Sequence, residues 1–172
     1  VKLDETGADG VKLEGGSDIA GHVALLAESG IAVLAHIGLL PQHVSSKSGF
    51  RITGRTAEEA AQLAADASAL SQAGVFGIVM EGIIEPVAAS IAADCSVPTI
   101  GIGASAGCDG QVLVVDDMLG LFTKFKPKFV KRYATLGEQA EAAVVAYAKD
   151  VRARAFPAAE HVFADAVPEG KS

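Results

Sequence analysis

The sequence has no tryptophan, two cysteines, two methionines and six prolines among 172 residues. Cys95 and Cys108 form no C-x-x-C pair, and two thiols so placed make neither a disulfide framework nor a thiolate cluster. That thiol usage fits a reducing, cytoplasmic setting. Cations are also scarce: 14 Lys and Arg stand against 21 Asp and Glu, a net charge of −7. Nucleic-acid binding needs clustered cations to meet phosphates, so the balance argues against it. The one basic stretch, Lys124 to Arg132, is short and interleaved with Phe and Pro, and it reads as a solvated loop or helix end. There is no apolar run of about 18 residues, the length that marks a membrane-spanning helix. The first residues lack the basic-then-apolar pattern of a secretion signal. They begin on Val1 in mid-pattern, which reads as a stretch of a longer protein.

Half of the residues are hydrophobic and a fifth are charged, a globular composition with no low-complexity segment. Short apolar runs alternate with amphipathic ones. Residues 10–14 (GVKLE) read as a strand, and Ser17 is placed to cap a helix running to about Ser29, closed by Gly30. Residues 31–37 (IAVLAHI) are the next strand, followed by a polar loop, GLLPQHVSSKSGFRITGR. Thr56 and Glu59 make a T-x-x-E capping box for a helix to Ala73, ended by Gly74. Residues 76–81 (FGIVME) form a third strand, Pro86 opens a helix to about Asp94, and 99–103 (TIGIG) form a fourth strand. VLVVD at 112–116 reads as a fifth. Thr135 and Glu138 repeat the capping box for a helix to about Arg154, and the tail from Phe156 is loop.

Alternating strands and helices with near-continuous apolar strands predict a parallel α/β sheet. The sheet is either open and doubly wound or part of a (β/α)8 barrel. Polar residues recur where successive strands end: Lys12 and Glu14, His36, Glu81, then Asp116 and Asp117. Barrel enzymes gather catalytic groups from several strand ends on one face, whereas an open sheet concentrates them at one switch point. A barrel of typical length runs to about 250 residues. The barrel reading makes residues 1–172 one partial domain of about five βα units, with the first three strands missing.

Lys12 and Glu14 alternate with Val11 and Leu13, so both charges share one strand face. Helices on both sides in sequence predict that both faces are covered, and buried charges need a partner, metal or ligand. The pair therefore reads either as an ion pair or as a ligand site, with the lysine toward an anion and the glutamate toward a cation. Glu81 reads either as a glutamate that has reached solvent or as a general base. His36, alone in an apolar run and without metal-ligand spacing, ranks below them. GIGASAG at 101–107 is a rim loop or a weak anion cradle, with no P-loop continuation.

Taken in order, VKLEGG, AHIGLLPQ, GFRITGR, IVMEG, IGIGA, CDGQVLVVDDMLG and FPAAEH resemble the ketopantoate hydroxymethyltransferase family, within the phosphoenolpyruvate mutase and isocitrate lyase superfamily. The resemblance implies a (β/α)8 barrel, a homo-oligomer, and magnesium, which suits oxygen ligands. It also implies 3-methyl-2-oxobutanoate as substrate and 5,10-methylenetetrahydrofolate as one-carbon donor in pantothenate biosynthesis. Carried over by motif, Lys12 binds the keto acid, Glu14 belongs to the magnesium site, and Glu81 takes the C3 proton. The metal would polarise the ketone and stabilise the enolate, which attacks the one-carbon unit to give 2-dehydropantoate. The family's front portion, with two further metal-binding aspartates and a serine-containing substrate loop, is not in this chain. Leu40, Ile83, Ile84 and Val162 also depart from the family's usual residues. The alternatives are another α-keto acid lyase or mutase of the superfamily, and a truncated chain that folds without catalysing.

Overall fold

The computed structural model describes residues 7–40 and 51–163. Within residues 7–113 it has a five-stranded parallel sheet in the order β1-β2-β3-β4-β5, formed by Gly10–Glu14, Ala32–Gly38, Gly77–Glu81, Thr99–Ile102 and Gly110–Gln111. Helices α1 (Ala20–Glu28), α2 (Ala57–Gln72) and α3 (Glu85–Asp94) follow the first three strands. The order never reverses, so the sheet has no switch point of the doubly wound kind.

The register explains where the core sits. Val11 pairs with Val33 and Leu13 with Ala35, and Ala35 and Ile37 pair in turn with Ile78 and Met80. Side chains alternate along a strand, so these residues share one face. They pack in one apolar cluster with Val23 of α1, Leu63, Ala67 and Leu70 of α2, and Ala88 and Ile91 of α3. The opposite face carries Lys12, Glu14, Leu34, His36, Val79 and Glu81. The expectation that helices cover both faces is thus corrected: α1, α2 and α3 all pack on the Val11 and Leu13 side, and the Lys12 side chain stays 46% exposed. The helices come to one side because sequential parallel strands joined by crossovers of one hand return over the same face.

Two helix starts also differ from the sequence reading. Ser17 does not cap α1. It begins a 3-10 turn, Ser17–Ile19, where Asp18 Oδ1 accepts from the Gly16 amide (2.9 Å) and Asp66 Oδ1 from the Ser17 amide (2.8 Å). Thr56 caps α2 as expected, accepting from the Glu59 amide at 3.2 Å, while the Glu59 carboxylate takes the Arg55 amide at 2.8 Å. Gly30 and Gly74 close their helices at φ +81° and +96°, which suits residues without a Cβ.

Residues 112–116 are not a strand. Only Gly110 and Gln111 extend the sheet, pairing with Ile100 and Gly101. The short apolar run then ends in a helix, because Asp116 and Asp117 sit in the first turn of α4 (Val115–Met118), where the helix dipole favours acids. These aspartates are therefore not strand-end groups. Residues 114–163 form a second compact unit containing α4 and α5 (Leu136–Arg152). The Thr135 side chain does not cap α5; the leading amides of Leu136 and Gly137 go to the carbonyls of Leu119 and Gly120 at 3.1 Å each. Among the described residues, no helix is long and apolar enough to cross a membrane. Both cysteines are free thiols.

Candidate functional site

Three neighbouring strands bring a charged row together at their C-terminal ends. Glu14 ends β1 opposite His36 of β2. Glu81 ends β3, two residues beyond Val79, which is the register partner of His36. Lys12, two residues before Glu14, points to the same face. Glu14 and Glu81 flank the His36 imidazole: Nδ1 lies 4.0 Å from Glu14 Oε1, and Nε2 lies 3.3 Å from Glu81 Oε2. Lys12 Nζ is 3.2 Å from His36 Nδ1 and 3.7 Å from Glu14 Oε1. The side chains of His36, Glu14 and Glu81 are 2%, 6% and 14% exposed, so the row is sheltered and Lys12 is its wet end.

The chain turns sharply beyond the row. Gly38 has φ +92°, and a Cβ there would collide with the Glu81 carbonyl and the Ile83 side chain. The Leu39 amide donates to that same carbonyl at 2.7 Å. Gly82 follows at φ +59°, with its amide on the Ile102 carbonyl (3.0 Å) and its carbonyl accepting from the Thr53 amide (2.8 Å). The described part of GFRITGR thus braces the backbone next to Glu81; its Gly49 and Phe50, like Pro41 and Gln42 of AHIGLLPQ, lie outside the described residues.

The glycine-rich loop after β4 is organised by a side chain. Ser105, 2% exposed, donates to Glu85 Oε1 at 2.9 Å and accepts from the Gly107 amide at 2.9 Å. Behind it, Asp109 Oδ2 accepts from the Thr99 amide (2.8 Å) and hydroxyl (3.0 Å). Those bonds stabilise the carboxylate and hold the Asp109 carboxyl below its ordinary range.

Sequence reasoning singled out Lys12, Glu14 and Glu81, and the fold brings all three within one contiguous row. His36, which ranked below them in the sequence, lies within 4.0 Å of all three. Laying the ends of the first two strands side by side would have put His36 against Glu14. Among the described residues, no group of three or more His, Cys, Asp or Glu is arranged to hold a metal ion. Magnesium requires near-octahedral oxygen ligation. Glu14 offers one carboxylate whose oxygen already faces an ammonium, so the described residues do not fit a magnesium ion by themselves.

A sequentially wound parallel α/β sheet with an acid–imidazole–acid row at its strand ends places the chain in the class of α/β proteins that gather charged side chains where neighbouring parallel strands end. Comparison with known proteins narrows that class. A family model described as ketopantoate hydroxymethyltransferase matches residues 2–159, and the chain belongs to that family. It is 56% identical over 161 residues to a 3-methyl-2-oxobutanoate hydroxymethyltransferase of Brucella canis, covering 94% of this chain and 58% of the relative. The enzyme of that name from Paracoccus denitrificans is 56% identical over 166 residues, covering 96% and 60%. The one from Rhizobium etli is 53% identical over 161 residues, covering 94% and 59%. The chain thus spans under two thirds of the length of these relatives. One solved structure that aligns, from Burkholderia cenocepacia J2315, is 14% identical at a TM-score of 0.44, covering 86% of this chain and 59% of that one; so distant a likeness carries no argument.

Proposed function

We propose that this chain carries the keto-acid half of a hydroxymethyltransferase site, in which Lys12 binds the anion of 3-methyl-2-oxobutanoate and Glu81 removes its C3 proton. The observation that carries the reading is the sheltered row of Glu14, His36 and Glu81 at three consecutive strand ends, with Lys12 at its exposed edge. A C3 hydrogen beside a ketone is acidified because the carbanion delocalises onto the carbonyl oxygen as an enolate. Glu81 is the carboxylate positioned to take that proton, and a placed base of this kind contributes about 10²–10⁴-fold. The nucleophilic C3 then forms a carbon–carbon bond to the one-carbon unit of 5,10-methylenetetrahydrofolate. The bonds from that carbon to the folate nitrogens break, and water supplies the hydroxyl oxygen. The products are 2-dehydropantoate and tetrahydrofolate, a step of pantothenate biosynthesis.

The sheet is, in this reading, five strands of a (β/α)8 barrel, and residues 1–172 are one partial barrel domain. Sequential strand order, helices on one face and charged strand ends on the other support it. Magnesium belongs to the complete barrel, where Glu14 would be the ligand this chain supplies. With the reading go a homo-oligomeric assembly, small-molecule partners and a cytoplasmic location. The test is formation of 2-dehydropantoate from the keto acid and 5,10-methylenetetrahydrofolate by the chain and by Glu81→Gln. Folate-dependent product that collapses in the variant supports the reading. Cleavage of a keto acid without folate points instead to a lyase or mutase.

A further inference from the structure

His36 is the most buried polar group of the row, and its two ring nitrogens are unequally served. Lys12 Nζ lies 3.2 Å from Nδ1. An ammonium has donors and no acceptor, so this contact requires Nδ1 to present its lone pair. The ring proton of the neutral imidazole then resides on Nε2. That nitrogen is buried and has no aligned hydrogen bond, yet Glu81 Oε2 is 3.3 Å away. Catalytic hydrogen bonds are often slack in this way before substrate binds.

We infer that Lys12 fixes His36 as its Nε2–H tautomer, and that His36 is thereby the positioning residue that holds the Glu81 carboxylate. The inference rests on Glu81 being the proton acceptor, and it gives Lys12 a second task besides meeting an anion. The opposite tautomer would set an N–H against the Lys12 ammonium and a lone pair against the Glu81 carboxylate, two repulsions in a sheltered place. Among the described residues, the charged groups that face the ring are Lys12 and Glu14 on the Nδ1 side and Glu81 on the Nε2 side; with an ammonium at Nδ1 and a carboxylate at Nε2, a ring donor toward Glu81 is the arrangement that satisfies both sides.

The test is ¹⁵N NMR of the histidine-labelled chain at mildly alkaline pH, with the His36 signals assigned by their loss in His36→Gln. The expected spectrum shows a pyridine-type Nδ1 and a pyrrole-type Nε2. Lys12→Met, at a half-exposed position, is expected to release a mixture of tautomers, and Lys12→Arg to retain the single one. Glu81→Gln is expected to keep the tautomer and move the Nε2-bound proton upfield as its carboxylate acceptor is lost. A protonated Nδ1 in the unmodified chain overturns the inference without any variant. An unchanged tautomer in Lys12→Met, or an unmoved proton in Glu81→Gln, overturns it as well. These signatures do not depend on turnover. A chain that shows them all but never exchanges the C3 hydrogen of the keto acid would refute the proposed reaction and leave the tautomer assignment standing.

Discussion

His36 Nε2 and Glu81 Oε2 lie 3.3 Å apart on neighbouring strands, although the register sets His36 against Val79. The contact is diagonal, across strand ends, where long side chains can still meet. It makes the position of the Glu81 carboxylate depend on a residue of a different strand.

Removing the imidazole should therefore damage proton abstraction more than folding. His36→Leu is expected to slow C3 exchange of 3-methyl-2-oxobutanoate by about 10²-fold, the penalty of misplacing a catalytic group by about 1 Å. His36→Gln, whose amide can still donate, should lose less. Exchange rates by NMR, alongside circular dichroism of each variant, make the comparison.

Gly38 shares this corner. It lies at φ +92° beside the Glu81 carbonyl. Gly38→Ala adds a Cβ in the left-handed region, at about 1–2 kcal/mol, and also pushes on the backbone that carries Glu81. The expected result is a lower denaturation midpoint together with slower C3 exchange. By contrast, Leu70→Ala, fully buried in the cluster on the opposite face, should cost about 2–5 kcal/mol.

The first four strands were legible in the sequence, since their apolar residues alternate or run continuously between glycines. The fifth was not. VLVVD is a short apolar run, and such runs do not distinguish strand from helix. The two aspartates that end it are helix-start residues. Ser17 and Thr135 misled for another reason: each sits at a helix start, but the amides there are met by Asp66 in one case and by Leu119 and Gly120 in the other. Those partners are distant in sequence. Lys12, Glu14 and Glu81 were legible as charges at strand ends, whereas the weight of His36 comes from three contacts on two other strands.

Thr56 is a cap whose role was legible, and it gives a clean stability test. Thr56→Ala removes the acceptor for the Glu59 amide and should destabilise the chain by about 1 kcal/mol, read by urea denaturation.

Acid should loosen the chain through three carboxyls. The Thr99 amide and hydroxyl hold Asp109 below its ordinary value. Backbone amides at the start of α2, chiefly its own for Glu58 and that of Arg55 for Glu59, hold those two down likewise. A carboxyl depressed in the folded state adds stability that is present above the unfolded-state value, about 4. That stability is lost as pH falls through the folded-state value. Asp109→Asn should thus flatten the fall in denaturation midpoint below about pH 4, where the unmodified chain declines more steeply.

The reaction proposed for the row at the strand ends is enolisation of a keto acid with Glu81 as the base. Its most direct test is deuterium exchange at C3 of 3-methyl-2-oxobutanoate, followed by NMR with magnesium in the buffer and no folate, for the chain and for Glu81→Gln. Exchange by the chain is expected, falling by at least about 10²-fold in the variant. A folded chain that exchanges no deuterium, or a variant that exchanges as fast as its parent, would contradict it.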